Sequence, residues 1–175
     1  MAVLDILTYP HPILRNHSRP IGQVDERIRK LLDDMAETMY AAPGIGLAAP
    51  QVGLNLRVVV VDVEWNNDGK TAAQRDTLYK LIDPEILERH GKAKGKEGCL
   101  SFPGLEASVE RAERILVRTL NLEGHPIEFS CDGLLAVAIQ HELDHLDGVL
   151  LIDNASPLKR RQYKHHLRKQ GVLET

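Results

Sequence analysis

The sequence predicts an α+β domain with mainly antiparallel strands, and three observations carry that prediction. An amphipathic helical stripe lies near the N-terminus, several short β-branched runs follow it, and a helix-forming run with two histidines comes after the strands. Helices and strands do not alternate regularly, which argues against a doubly wound parallel sheet. At 175 residues, with 43% hydrophobic and 27% charged residues, the chain fits one compact domain, 1–175, with a sizeable core. No internal repeat or low-complexity tract divides it.

From Asp25 to Tyr40, Ile28, Leu31, Leu32, Met35 and Met39 fall on one stripe, and Asp25 stands at the N-cap. Ala42-Pro43-Gly44 breaks this helix. Gly44-Ile45-Gly46 follows no predicted strand and lacks the rest of a dinucleotide fingerprint, so it reads as a tight turn or a close backbone approach. Arg57 to Val63 is a β-branched run consistent with a buried strand. Glu64 to Thr77 contains Asn66-Asn67-Asp68-Gly69 and reads as a surface loop before a strand around Leu78 to Ile82. A second loop is expected over His90 to Lys96. Arg114 to Leu120 and Pro126 to Phe129 read as strands joined through the turn Leu122-Glu123-Gly124. This hairpin leads into a helix with Asp132 as N-cap, Leu134, Leu135, Val137, Ala138 and Ile139 as apolar positions, and Gly148 as terminator. A last helix starts at Ser156-Pro157 and runs to about residue 170.

The formal net charge is −3, but it is unevenly spread. Pro157 to Thr175 holds six Lys or Arg and one Glu, while the other 156 residues hold 16 basic and 24 acidic side chains. The basic tail reads first as a solvated helix and second as a patch for a polyanion. No stretch reaches the roughly 20 apolar residues needed to span a bilayer, and Met1 to Tyr9 lacks a basic signal-peptide start. A soluble, cytoplasmic protein is expected. Cys99 and Cys131 fit free or ligating thiols better than a structural disulfide.

The strongest chemical signal is His141-Glu142-Leu143-Asp144-His145. On a helix, positions i and i+4 share a face, so both imidazoles can reach one metal ion while Glu142 lies beside it as a proton acceptor. A divalent ion there would make a nucleophile available at neutral pH by lowering the pKa of bound water. Catalytic metals usually take three protein ligands and keep one position open. Downstream, the position six residues after His145 is Leu151, and about twenty residues on stand Lys164 and His165, with Glu174 the only later Glu. Upstream, Cys99 in Glu97-Gly98-Cys99-Leu100-Ser101 has small neighbours that would let a thiolate approach a metal, although a small core residue fits that composition equally well. Leu134, Val137 and Ala138 share the His141 face and form either a pocket wall or ordinary core. A metallopeptidase would share the helix motif without needing Cys99. A structural site would be closed by a fourth ligand such as His125 or Cys131.

Three ordered motifs, Gly44-Ile45-Gly46-Leu47-Ala48-Ala49-Pro50-Gln51, Glu97-Gly98-Cys99-Leu100-Ser101 and Gln140-His141-Glu142-Leu143-Asp144-His145, resemble those of bacterial peptide deformylases. The resemblance extends over essentially the whole chain, including Asp132-Gly133-Leu134-Leu135-Ala136 and Ser156-Pro157-Leu158-Lys159. It implies removal of the formyl group from the initiator methionine of nascent peptides. It also implies Cys99, His141 and His145 as ligands of Fe2+, with Ni2+ or Co2+ as active substitutes and Zn2+ poorer. By the same resemblance Glu142 is the general base and acid, and the Gln51 amide and the Leu100 N–H form the oxyanion site. Ile45, Gly46 and Gly98 would line the peptide, beside a methionine pocket walled by Leu134, Val137 and Ala138. Motif position suggests that Glu97 pairs with Arg111 to hold the cysteine loop. A monomer acting on chains leaving the ribosome is implied, with Lys159, Arg160, Arg161, Lys164, Arg168 and Lys169 facing ribosomal RNA. The chain departs from many relatives at Glu106, where they carry a basic residue, and this leaves contacts beyond methionine open.

Overall fold

In α1, Glu26–Ala41, the Asp25 carboxylate accepts the Ile28 N–H at 3.1 Å, and Leu32, Met35 and Met39 are fully buried, as the stripe predicts. The computed structural model describes residues 2–173, so Glu174, set aside above as a ligand, lies outside the described residues. The chain continues through β1, Gly46–Ala48, β2, Val58–Val61, β3, Tyr79–His90, β4, Ala93–Glu97, and β5, Ala107–Arg111. It ends with β6, Arg114–Leu120, β7, Pro126–Asp132, α2, Gly133–Leu146, and α3, Pro157–Lys169. The strands form a five-stranded sheet in the order β1-β2-β3-β6-β7 and a separate β4-β5 pair, with every pairing antiparallel.

The four valines of β2 are buried because both faces of that strand are covered. Val59 and Val61 pack with Ile139, Leu143 and Leu146 of α2, whereas Val58 and Val60 pack with Leu32, Met35 and Met39 of α1. Alternation along the strand thus sends successive side chains into two cores, each burial stabilising by about 1.5 to 3 kcal/mol. A third cluster joins Phe102, Ala107 and Val109 to Leu150, Tyr163 and Leu167. This anchors α3, whose N-cap Ser156 accepts the Lys159 N–H.

Several boundaries differ from the sequence reading. The strand expected at Leu78 to Ile82 runs on to His90, and the loop expected over His90 to Lys96 is largely β4. Both segments are charged and solvent-facing, so pairing with β6 and β5 holds them where hydrophobic patterning gives no signal. β7 continues past Phe129 to Asp132. Gly46 opens a three-residue strand paired through Gly46 and Val61, rather than only a turn. Asp132 holds the N-cap position of α2 but makes no side-chain capping bond. Gly148 ends that helix region at φ 72°, and a Cβ there would stand 2.4 Å from the Arg15 carbonyl oxygen. Among the described residues no helix is long and apolar enough to cross a membrane.

Candidate metal centre and cleft

Burial of α2 between the sheet and the cysteine loop brings its two histidines to Cys99. The candidate ligand atoms of Cys99, His141 and His145 all lie within 4.8 Å of one another, with Cys99 Sγ 3.3 Å from His145 Nε2. Neither His125 nor Cys131 joins this cluster among the described residues, so the closed four-ligand alternative has no support there. One sulfur and two imidazole nitrogens suit a borderline divalent metal and leave room for a further ligand. His145 is 1% exposed and its Nδ1 has no hydrogen-bond partner among the described residues. Burial, reinforced by the nearby His141 and Arg111 charges, pushes its pKa down to about 3, which keeps the imidazole neutral as a metal requires. On both counts His145 fits a metal ion.

His141 is oriented from behind. Its Nδ1 donates to Glu97 Oε1 at 3.0 Å, and Arg111 donates to both Glu97 oxygens at 2.8 and 2.9 Å. The pairing expected from motif position is therefore present. Arg111 also donates to Asp144 at 2.6 Å, an interaction the sequence reading missed. Asp144 stands inside the histidine motif, three residues after His141, which was the available signal. Gln140, another missed residue, ties α2 to the β5–β6 connection by accepting the Ala112 N–H and donating to the Ala112 carbonyl.

Glu142 is 4% exposed, and its Oε2 has no hydrogen-bond partner among the described residues. Burial pushes its carboxyl up to about 7, against the lowering effect of His141 and Arg111. Gly46 lies so near that a Cβ would stand 2.6 Å from Glu142 Oε1, which fulfils the close backbone approach read from the glycines. Gln51 accepts the Ala48 N–H at 2.9 Å and donates to Ser101 Oγ at 3.1 Å, while Ser101, also missed, donates to the Leu7 carbonyl. This holds the Gln51 amide nitrogen 3.7 Å from Cys99 Sγ.

A cavity of about 420 Å³ gathers most of the residues singled out by sequence: Ile45, Gly46, Gln51, Glu97, Gly98, Cys99, Leu100, Leu134, Val137, Ala138, His141 and Glu142. His145 and Arg111 do not line it, and Arg111 meets the lining through Glu97. Leu134 stands at the mouth, 54% exposed, while Ala138 is buried. Glu106 lies outside, in an adjoining open groove shared with Gly98, Cys99 and Lys159.

One thiol and two imidazole donors that converge beside a buried carboxylate outside the cluster fit the chemistry of a metal-dependent hydrolase. Comparison with known proteins narrows the class. The sequence model of the polypeptide deformylase family matches residues 3–161, and the chain belongs to that family. It is 54% identical over 169 residues to a peptide deformylase of Alkalilimnicola ehrlichii, covering 97% of this chain and 91% of the relative. It is 49% identical over 170 residues to peptide deformylase 1 of Burkholderia multivorans, covering 97% and 90%. Among solved structures, the peptide deformylase of Legionella pneumophila superposes with a TM-score of 0.86 at 40% identity, covering 97% of this chain and 96% of that one. The Ehrlichia chaffeensis enzyme in complex with actinonin gives 0.87 at 38% identity, covering 99% and 100%.

Proposed function

We propose that this chain hydrolyses the N-formyl group from the N-terminal formylmethionine of newly made proteins, using Fe2+ held by Cys99, His141 and His145. Ni2+ and Co2+ are expected to substitute with activity, and Zn2+ less well. The observation that carries this reading is the three-donor cluster with Glu142 beside it, at a cleft of about 420 Å³ walled in part by Leu134, Val137 and Ala138. When bound, a divalent ion supplies Lewis acidity and lowers the pKa of a water towards about 7.

The chain's own residues divide the remaining work. Glu142 Oε2 accepts a proton from the attacking water and returns it to the departing amine, a role typically worth about 10² to 10⁴ in rate. The Gln51 amide and the Leu100 N–H donate to the developing oxyanion. Supporting this, Gln51 is pinned by Ala48 and Ser101, and the Leu100 N–H has no hydrogen-bond partner among the described residues. Leu134, Val137 and Ala138 wall the methionine pocket, and the backbone of Ile45, Gly46 and Gly98 holds the peptide. Glu97, itself held by Arg111, keeps His141 in the tautomer whose Nε2 faces the cluster.

The protein acts as a cytoplasmic monomer on this reading. The basic side of α3 touches ribosomal RNA through Lys159, Arg161, Lys164, Arg168 and Lys169. Arg160 instead donates to the carbonyls of Ile152, Asp153 and Ala155, so it contributes less. Ribosome binding that does not weaken with salt would exclude this contact. The activity is tested by anaerobic incubation of the iron-loaded chain with an N-formylmethionyl tripeptide. Formate with an otherwise intact peptide, abolished by Glu142→Ala, is the expected result. Internal cleavage would make the chain a peptidase.

A further inference from the structure

Trp65, the chain's single tryptophan, lies outside the site described above, in the polar loop before β3. Its indole N–H donates to the Gly44 carbonyl at 2.8 Å. Gly44 begins the backbone run through Ile45 and Gly46 that lines the cleft, and a Cβ on Gly44 would stand 2.8 Å from the Leu100 side chain. The indole therefore grips the stretch of backbone that packs directly on the cysteine loop.

The donor is itself held. Its ring meets Tyr40 edge-on at 5.0 Å, and the Arg75 guanidinium lies 4.6 Å from the Tyr40 centroid and 5.3 Å from that of Trp65. Arg75 is in turn paired with Asp68 at 3.2 Å, which ties down the tip of the same loop. Tyr40 and Thr77 both donate to the Asp62 carboxylate, and the Asp62 N–H donates to the Ile45 carbonyl at 2.9 Å. Two adjacent carbonyls of the cleft wall, Gly44 and Ile45, are thus fixed from one buttress, while Ile45 as a residue stays 41% exposed.

We infer that Trp65 is a positioning residue for peptide substrates. It fixes the Gly44-Ile45 backbone as the wall along which the chain beyond formylmethionine lies, and so sets affinity for the peptide without taking part in bond breaking. The inference rests on the deformylase reading and adds to it a dependence on substrate length. None of the metal-cluster residues touches Trp65 through a hydrogen bond, so its effect separates from metal loading.

The test compares an N-formylmethionyl tripeptide with N-formylmethionine alone on the iron-loaded chain and on Trp65→Phe, which keeps an aromatic ring and removes the N–H donor. The expected result is a rise of roughly fivefold to tenfold in KM for the tripeptide, with kcat and the KM for formylmethionine within about twofold. Arg75→Gln, which keeps the indole N–H but removes the cation from its face, should raise the tripeptide KM in the same direction by less. An unchanged tripeptide KM in Trp65→Phe would overturn the inference, as would an equal loss for both substrates. If Trp65→Phe does not fold, an unchanged tripeptide KM in Arg75→Gln overturns it instead. Absence of formate from the unaltered chain would remove the underlying reading, an outcome distinct from these.

Discussion

His141 donates its Nδ1 hydrogen to the Glu97 carboxylate across 3.0 Å, so the ring's other nitrogen is the one left to meet Cys99 and His145. Glu97 is fixed by two bonds from Arg111, and Arg111 by a third to Asp144 on the metal helix itself. The chain of contacts closes a loop between the cysteine segment and α2. Glu97→Ala is expected to lower metal affinity by about 10- to 100-fold, as loss of such an orienting partner usually does. Metal content after dialysis against a competing chelator measures it, and wild-type retention would contradict it.

The same carboxylate makes stability pH-dependent in the metal-free protein. Burial alone would raise its pKa, but hydrogen bonds from His141 and Arg111 outweigh burial and hold it at about 2. The folded state then binds fewer protons than the unfolded state between that value and the ordinary range near 4.3, so the Glu97 contribution is complete above that range and lost as pH falls towards about 2. Denaturant midpoints of the metal-free chain should fall across this window, and Glu97→Gln should flatten the fall. A slope unaltered by that substitution would show that other groups carry it.

Glu142→Ala is expected to lower kcat by about 10² to 10⁴ while metal content stays near one ion per chain, because the carboxylate is not among the clustered donors. Burial pushes the carboxyl up to about 7 in the metal-free chain, and a neighbouring cation favours the anion. The base must be ionised to work, so kcat/KM should rise with pH along an acid limb centred below about 7. Metal loss in Glu142→Ala would make Glu142 a ligand.

Gly46→Ala tests the closeness of β1 to Glu142. The added methyl would sit 2.6 Å from Glu142 Oε1, so either the strand or the carboxylate must move. A displacement of about 1 Å at a reacting group commonly costs near 10²-fold in rate, and a loss of that order is expected with the fold retained by circular dichroism. Full activity would mean that this approach is relaxed in solution.

Gly148→Ala addresses stability instead. It combines a left-handed backbone with a Cβ 2.4 Å from the Arg15 carbonyl oxygen, which cannot rotate away as a side chain could. Destabilisation above about 1 kcal/mol is expected in urea melts, with the unfolding slope unchanged.

What could be read from the sequence followed from local periodicity and motif spacing. The α1 stripe, the β2 valines and the His141, Glu142 and His145 set were legible because each depends on residues near in sequence, whereas Cys99 was even between ligand and core until the resemblance to a family joined it to them. β4 was not, since Ala93-Lys94-Gly95-Lys96-Glu97 has no apolar face and is a strand only because β5 pairs with it. Asp144, Ser101, Gln140 and Trp65 were missed for a related reason. Their partners, Arg111, Gln51, Ala112 and Gly44, lie between 21 and 50 residues away in the chain, so only the folded arrangement gives them a role. Asp132 was legible as a helix boundary but not in its lack of a capping bond, which depends on side-chain direction.

The most direct measurement is anaerobic titration of the metal-free chain with Co2+, followed by optical absorption, for the wild type, Cys99→Ala and Glu142→Ala. One equivalent with a thiolate-to-cobalt charge-transfer band, lost in Cys99→Ala and kept in Glu142→Ala, is the result required if Cys99, His141 and His145 hold the metal and Glu142 stands free beside it. A band that survives in Cys99→Ala, or disappears in Glu142→Ala, would contradict that assignment of the site.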